Sequence, residues 1–535
     1  MKIEKQYVHL PVKNGAEKAI FQFLLDGQVA REFDVELATD GPPDWWAFYD
    51  VSAFRGKEIS IRARNLVGED AAAKLPELIQ QGDDIKGAEN LYRETHRPQF
   101  HFTSRRGWNN DPNGMVYHNG EYHLYYQHNP FGIKWGNMHW GHAVSTDLAH
   151  WQELPIALYQ NGLKDMAFSG GGNVDPRNTA GWKTGDEDVI FVSFTSTGRG
   201  ECVAYSSDRG RTFTDYKGNP VIKHRGRDPK VVWYEPETKW VMVLYDEVEG
   251  KWRYAFYESR DLKSWAYMSA VDGFYECPEF FDLPMDGDER NRKWVLHGAE
   301  RREEGGKRHV ARSSYMVGAF DGRAFIPETG IMDGHLGPNF YAAQTFSNVP
   351  GNRRIMIGWL SGVTYPGMPF SQGFTAPLEL TLRATPDGPR LLFYPVEELD
   401  VLRTRTHRFG GKTVAEADAF LEKIGAELLD ILMEIEPNGA DVELNVRGQA
   451  VTYRASDRTL SFRDKTARLE AIDGKIHLRA LVDRCVMEVF GNQGRIALSA
   501  AGDLFPKRET PLRLLGGDAA RVVNLTAHEL KSMWG

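Results

Sequence analysis

Apolar and polar positions alternate along most of this chain with a period of two, the spacing of strands that bury one face. Over residues 1–67 the runs IFQFLLDG and EISIRARNL, with Gly, Pro and Asp between them, predict a small antiparallel β domain. The next stretch, 68–97, is rich in helix formers, is interrupted by Pro76 and Gly82, and ends at Arg97-Pro98, so it predicts a linker of one or two helices. From 98 to 395 short strand-like runs and turns dominate. After LLFYPVEELDVLR the alternation changes texture, and VELNVRG, KIHLRALVDRCVMEVFGNQGRIALS and VVNLTAHEL predict a C-terminal β-sandwich over 405–535. The predicted fold class is therefore all-β.

The middle region repeats. STDLAHW, SSDRGRTF, SRDLKSW and GAFDGRAF each follow strand-like sequence and end in an aromatic residue, and their aspartates, Asp147, Asp208, Asp261 and Asp321, are 61, 53 and 60 residues apart. A unit of that length holds about four short strands, the size of one β-propeller blade. The runs YHLYYQH, VIFVSF, KWVMVLY, KWVLHG and RRIMIGWL supply one marker strand for each of five blades, which predicts a five-bladed β-propeller over 98–395.

Composition narrows the partners. A net charge of −9 over 535 residues, with no long run of Lys and Arg, argues against nucleic acid. No window approaches 18 consecutive apolar residues, which argues against a membrane helix. Three scattered cysteines, Cys202, Cys277 and Cys485, do not form a disulfide framework and predict free thiols. The N-terminal sequence MKIEKQYVHLPVKN lacks an apolar signal core, which places the protein in the cytoplasm if the sequence is complete, and in the periplasm or outside the cell if a signal has been removed. Nothing here predicts an oligomeric state.

In a propeller the innermost strands face a central channel, so equivalent positions of successive repeats converge. Those positions hold Asp111 in WNNDPNG, Ser169 in AFSGGG, Asp228 in GRDPK, Glu276 in YECPEF and Tyr341 in NFYAAQ. Three carboxylates meeting in one pocket repel one another, a cost that a purely structural role does not favour. Retaining glycosidases need such a set: a nucleophile, a proton donor and further charge near an oxocarbenium-like transition state.

These motifs, in this order, together with WGNMHWGHAVSTDLAHW and GWLSG, resemble glycoside hydrolase family 32, the fructan hydrolases and invertases, densely over about 98–390 and more weakly over the sandwich, where VDRCVMEVFGN is similar. The resemblance implies a retaining enzyme that releases terminal β-D-fructose from levan- or inulin-type fructans and from sucrose, without a cofactor or metal. It implies Asp111 as nucleophile, Glu276 as general acid/base, and Asp228 as the residue that holds sugar hydroxyls and stabilises the transition state, with Arg227 tuning the acid/base. Asn110, Gln127, Trp135, Phe168 and Ser169 match positions that line the pocket for the terminal fructosyl unit. Tyr341 lies in a less distinctive loop. The first 95 residues resemble an N-terminal addition of some bacterial fructan hydrolases, and Trp45 and Trp46 there are expected to be buried anchors.

Asp-Pro and Asn-Gly are ordinary turn dipeptides, and the aspartates at 147, 208, 261 and 321 are read as turn residues. Glu279 is the rival to Glu276 for the acid. His118, His123, His128, His139 and His142 are dense, yet lack metal-ligand spacing and are read as packing residues. Three alternative functions stand: a fructosyltransferase using the same carboxylates, a five-bladed inverting glycosidase acting on arabinose or xylose, and a catalytically silent fructan-binding propeller.

Overall fold

A computed structural model describes residues 1–68, 70–224, 226–304 and 307–535. The N-terminal alternation is realised as two three-stranded sheets, one ordered Trp45–Asp50, Tyr7–Val12, Gln80–Gly82 and the other Gln28–Glu36, Lys18–Leu25, Ile59–Arg64. Their inward faces bury Val8, Leu10, Phe21, Phe23, Phe33 and Tyr49. Within 68–97 the helix is shorter than expected. Ala71–Leu78 is helical, but Gln80–Gly82 pairs with Tyr7–His9 as a strand, and turns carry the chain on to Pro98. The helix runs through Pro76 and stops at Leu78, and beyond it two glutamines and a glycine satisfy their backbone groups on the free edge of Tyr7–Val12.

Five blades follow. Their inner strands are Gly107–His118, Gly172–Asp175, Arg227–Tyr234, Phe274–Met285 and Phe340–Thr345. In blades I to IV antiparallel partners run outward in chain order, and blade V continues through Ile355–Leu360, Leu378–Thr385 and Gly388–Pro395. The five marker runs of the sequence all form the second strand of their blade. Blades IV and V are joined by one parallel bridge, Met285 to Leu382. The ring closes where Phe370–Ser371, after the second strand of blade V, pairs in parallel with Gly107–Trp108 of blade I. Apolar clusters fill the spaces between neighbouring blades, with Trp140 and Tyr125 between I and II and Trp240 between II and III.

The repeated aspartates are turn residues. Each accepts backbone N–H groups two to four residues ahead, as Asp261 does from Lys263 at 2.9 Å and Ser264 at 2.8 Å, and Asp321 from Arg323 and Ala324. The C-terminal unit is a sandwich of a six-stranded and a five-stranded sheet. It also holds a helix the alternation did not reveal, Val414–Leu421, begun by a capping box between Thr413 and Glu416.

Candidate active site

Four of the five inner strands lose register where they carry a site residue. The breaks fall between Asn109 and Pro112, Arg227 and Lys230, Tyr275 and Glu279, and Tyr341 and Gln344. A bulge sets two residues against one and re-aims the side chain, so each break turns its polar group toward the propeller axis. The backbone there is strained. Asp228, Glu276, Cys277 and Ala342 have φ of +64°, +42°, +51° and +46°, positions costing about 1–3 kcal/mol each. Specific bonds hold them. Thr195 Oγ1 accepts the Asp228 N–H at 3.0 Å, and the buried Tyr254 hydroxyl donates to the Glu276 carbonyl at 2.6 Å. Tyr254 can do so because residue 298 is glycine; a Cβ there would stand 1.8 Å from its hydroxyl oxygen. Ser169 is brought in by the glycines behind it, since a Cβ on Gly170 would lie 1.9 Å from the Ser193 carbonyl oxygen.

The result is a cavity of about 390 Å³. All nine site residues read from the sequence line it: Asn110, Asp111, Gln127, Trp135, Phe168, Ser169, Arg227, Asp228 and Glu276. Asp111 Oδ1 accepts from Asn110 Nδ2 at 3.0 Å, and its Oδ2 accepts from Ser169 Oγ at 2.5 Å. Glu276 Oε1 pairs with Arg227 Nη2, and its Oε2 accepts from the Tyr341 hydroxyl at 2.5 Å. Asp228 Oδ2 accepts from the Cys277 N–H at 3.0 Å, and the Cys277 thiol touches the carboxylates of both Asp228 and Asp111. Burial pushes the Asp111 carboxyl up, while Ser169 and Asn110 pull it partly back. Burial also pushes Asp228 up, against Arg227 and with the charges of Glu276 and Asp111. Burial and the neighbouring Glu276 raise the Tyr341 phenol, which stays a donor.

Tyr341 belongs to the site on this geometry, and Trp359 was missed as a site residue although it stands in the GWLSG motif. Trp359 packs edge-on to Trp108, with ring centroids 6.1 Å apart, and Trp108 Nε1 donates to Asn110. Trp135 is the exposed rim, 48% accessible and edge-on to Phe168. Glu279 is excluded from the pocket: fully buried, it pairs with Lys230 Nζ at 2.9 Å and accepts from Thr345 N at 3.0 Å, tying blades III, IV and V together. Glu279→Ala should therefore cost about 3–5 kcal/mol of stability by leaving Lys230 buried and unpaired, measured by urea unfolding; an unchanged midpoint would refute this role. The five histidines are packing residues. His123 faces His142 at 3.1 Å, His128 bonds the Trp108 carbonyl, and burial holds His123 down at about 4 and His139 at about 3. Among the described residues no group of His, Cys, Asp and Glu is arranged to hold a metal ion.

A five-bladed propeller with three carboxylates converging in a pocket at its axis, followed by a β-sandwich, has the architecture and the acid–base equipment of a glycosidase. Residues 101–395 match the model of the glycosyl hydrolases family 32 N-terminal domain and residues 398–529 that of the family's C-terminal domain, so the chain belongs to glycosyl hydrolase family 32. It is 38% identical to a levanase of Bacillus subtilis over 503 residues, covering 83% of this chain and 72% of that one. It is 30% identical to an extracellular exo-inulinase of Aspergillus niger, covering 83% and 96%. The crystal structure of the exo-inulinase from Aspergillus awamori superposes with a TM-score of 0.71 at 27% identity, covering 83% of this chain and all of that one. Residues 1–100 lie outside both matched family segments.

Proposed function

We propose that this chain is an exo-acting β-fructosidase that removes the terminal fructosyl unit of levan- or inulin-type fructans and of sucrose by retaining double displacement. The observation that carries the reading is the convergence of Asp111, Asp228 and Glu276 in one cavity, with Glu276 clamped at both oxygens by Arg227 and Tyr341. Asp111 attacks the anomeric carbon of the fructosyl unit as Glu276 donates a proton to the departing glycosidic oxygen. Water then attacks the fructosyl–Asp111 ester, Glu276 takes the water's proton, and the Asp111 carboxylate is released. Asp228 accepts hydrogen bonds from sugar hydroxyls and faces the developing positive charge. Asn110, Gln127, Phe168 and Ser169 enclose the ring, and Trp135 offers an apolar face at the rim. The named activities of the levanase and exo-inulinase relatives support this substrate class.

The test is product analysis on levan, inulin and sucrose by chromatography, with the first-formed anomer followed by NMR. Fructose as the sole product from fructan ends, released first as the β anomer, is expected. Longer oligosaccharides would replace the reading with endo cleavage or fructosyl transfer, and a first-formed α anomer would overturn retention.

A further inference from the structure

The loop that brings Trp135 to the pocket rim does not rest on the propeller alone. It leaves blade I at Asn129 and returns at His139, and between them it plants Phe131 in the core of the N-terminal domain. Phe131 is 1% exposed and stacks on Phe33 with ring centroids 3.8 Å apart, and it lies 5.1 Å from Tyr49. Two residues past Trp135 the loop is pinned a second time. Asn137 Oδ1 accepts the Asp34 N–H at 2.9 Å, and Asn137 Nδ2 donates to the Asp34 carbonyl at 2.9 Å and to Asp34 Oδ1 at 3.1 Å.

Strand Gln28–Glu36 is an edge strand, so its outward N–H and C=O groups have no ladder partner. The Asn137 amide, which presents a donor and an acceptor side by side, takes the place of a paired backbone there. Asn129 Oδ1 accepts from both Asn137 Nδ2 and the Phe131 N–H, and Asn129 Nδ2 donates to the Lys134 carbonyl, which closes the loop on itself. The same edge strand grips the loop leading to Phe168: the Glu32 carbonyl accepts from Gln160 Nε2 at 2.8 Å, and its carboxylate accepts from the Leu163 N–H at 3.2 Å. Of the two tryptophans expected to be buried anchors, Trp45 is buried, whereas Trp46, on the opposite face of the strand, is half-buried with Lys86 Nζ over its ring at 3.6 Å.

We propose that the N-terminal domain is a positioning element of the substrate pocket, holding Trp135 through Asn137 and Phe131, with Asn137 as the positioning residue that couples edge strand Gln28–Glu36 to the rim. The domain's contribution is to recognition and not to bond cleavage. An exposed indole on a loop without these anchors would sample many orientations, and substrate would have to select one of them, which weakens apparent affinity by the fraction that is competent. This rests on the fructosidase reading of the pocket, because the benefit is assigned to a fructan chain end meeting Trp135.

Asn137→Ala tests it in the full chain, since it removes the amide's bonds to Asp34 and to Asn129 and leaves the Phe131 side chain and every pocket side chain unsubstituted. The expected result is a KM for fructan raised about tenfold with kcat within twofold, the pattern of lost uniform binding. Trp135→Ala should raise KM similarly, and the double variant should be no worse than Trp135→Ala alone, because both act through one side chain. Hydrogen exchange of residues 129–137, read without substrate, should accelerate in Asn137→Ala while the propeller strands stay protected. Fully additive effects, a fall confined to kcat, or unchanged exchange in the loop would overturn the proposal. Failure of the fructosidase reading is separate: the wild type would then release no fructose, whatever the loop's exchange.

Discussion

Asp111→Ala will lower kcat/KM on fructan by on the order of 10⁴-fold or more, the scale on which loss of a covalent nucleophile acts. The cavity should keep its shape in this variant, because the carboxylate's contacts are two hydrogen bonds, from Asn110 and Ser169, and a long one from the Cys277 thiol, and no ion pair depends on it. Fructose binding should therefore survive and be measurable by calorimetry. Glu276→Ala should be as slow on natural substrates and recover on fructosides whose leaving group needs no proton. Azide separates the two roles. With an activated fructoside it should give a fructosyl azide of retained configuration in Glu276→Ala, by intercepting the ester on Asp111, and of inverted configuration in Asp111→Ala, by attacking the anomeric carbon directly. Swapped configurations would reverse the assignment. The pH profile adds a sign. Asp111 must be ionised to attack, and burial raises its carboxyl above the ordinary 3.8, so kcat/KM should fall on the acid side at a pH above that of an ordinary aspartate. Ser169→Ala removes a hydrogen bond to the carboxylate form and should move that limb further up.

The junction between propeller and sandwich carries the second large effect. His101 is fully buried there, with Nδ1 2.9 Å from Asp483 and Nε2 3.1 Å from Glu488. Asp483 also accepts the backbone N–H groups of Gln99, Phe100 and His101, and Glu488 accepts that of Ala376. Burial works against the imidazolium, but two carboxylates outweigh it and raise His101 to about 9 from its ordinary 6.5. A raised pKa means that this contribution, about 3 kcal/mol, is fully present below pH 6.5 and is lost as the pH climbs through 9. Asp483→Ala strands His101 and three amide groups and should cost about 3–5 kcal/mol. Calorimetry across pH 6 to 10 checks both. The wild type should lose melting temperature above pH 7, and Asp483→Ala should start low and stay flat; a wild type insensitive to pH in that range would dismiss the charged histidine.

VDRCVMEVFGN shows how far the sequence could be read. Its alternation predicts β structure, and it resembles the family's second domain, yet nothing local says that Asp483 and Glu488 face a histidine almost 400 residues earlier. The same holds at the pocket. Asp111, Asp228 and Glu276 stood out because a blade is a repeated unit and repetition puts equivalent positions on one axis, a relation that survives in residue spacing. Tyr341 shared the spacing but not a distinctive motif, and Trp359 sits on a second strand, where blade periodicity does not direct attention to the axis.

Alternation, turn dipeptides and repeat length therefore determined by themselves that the chain is all-β, that five blades surround an axis and that three carboxylates share a pocket, because each depends on local periodicity. Only the tertiary structure decided which glutamate faces the cavity. Glu276 and Glu279 lie three residues apart on one strand, and the bulge between Tyr275 and Glu279, with two left-handed residues held by Tyr254, sends one to the pocket and the other to Lys230. It also decided what the first hundred residues touch. An edge strand can pair with any loop that offers a donor beside an acceptor, and only the folded chain brings Asn137 to Asp34.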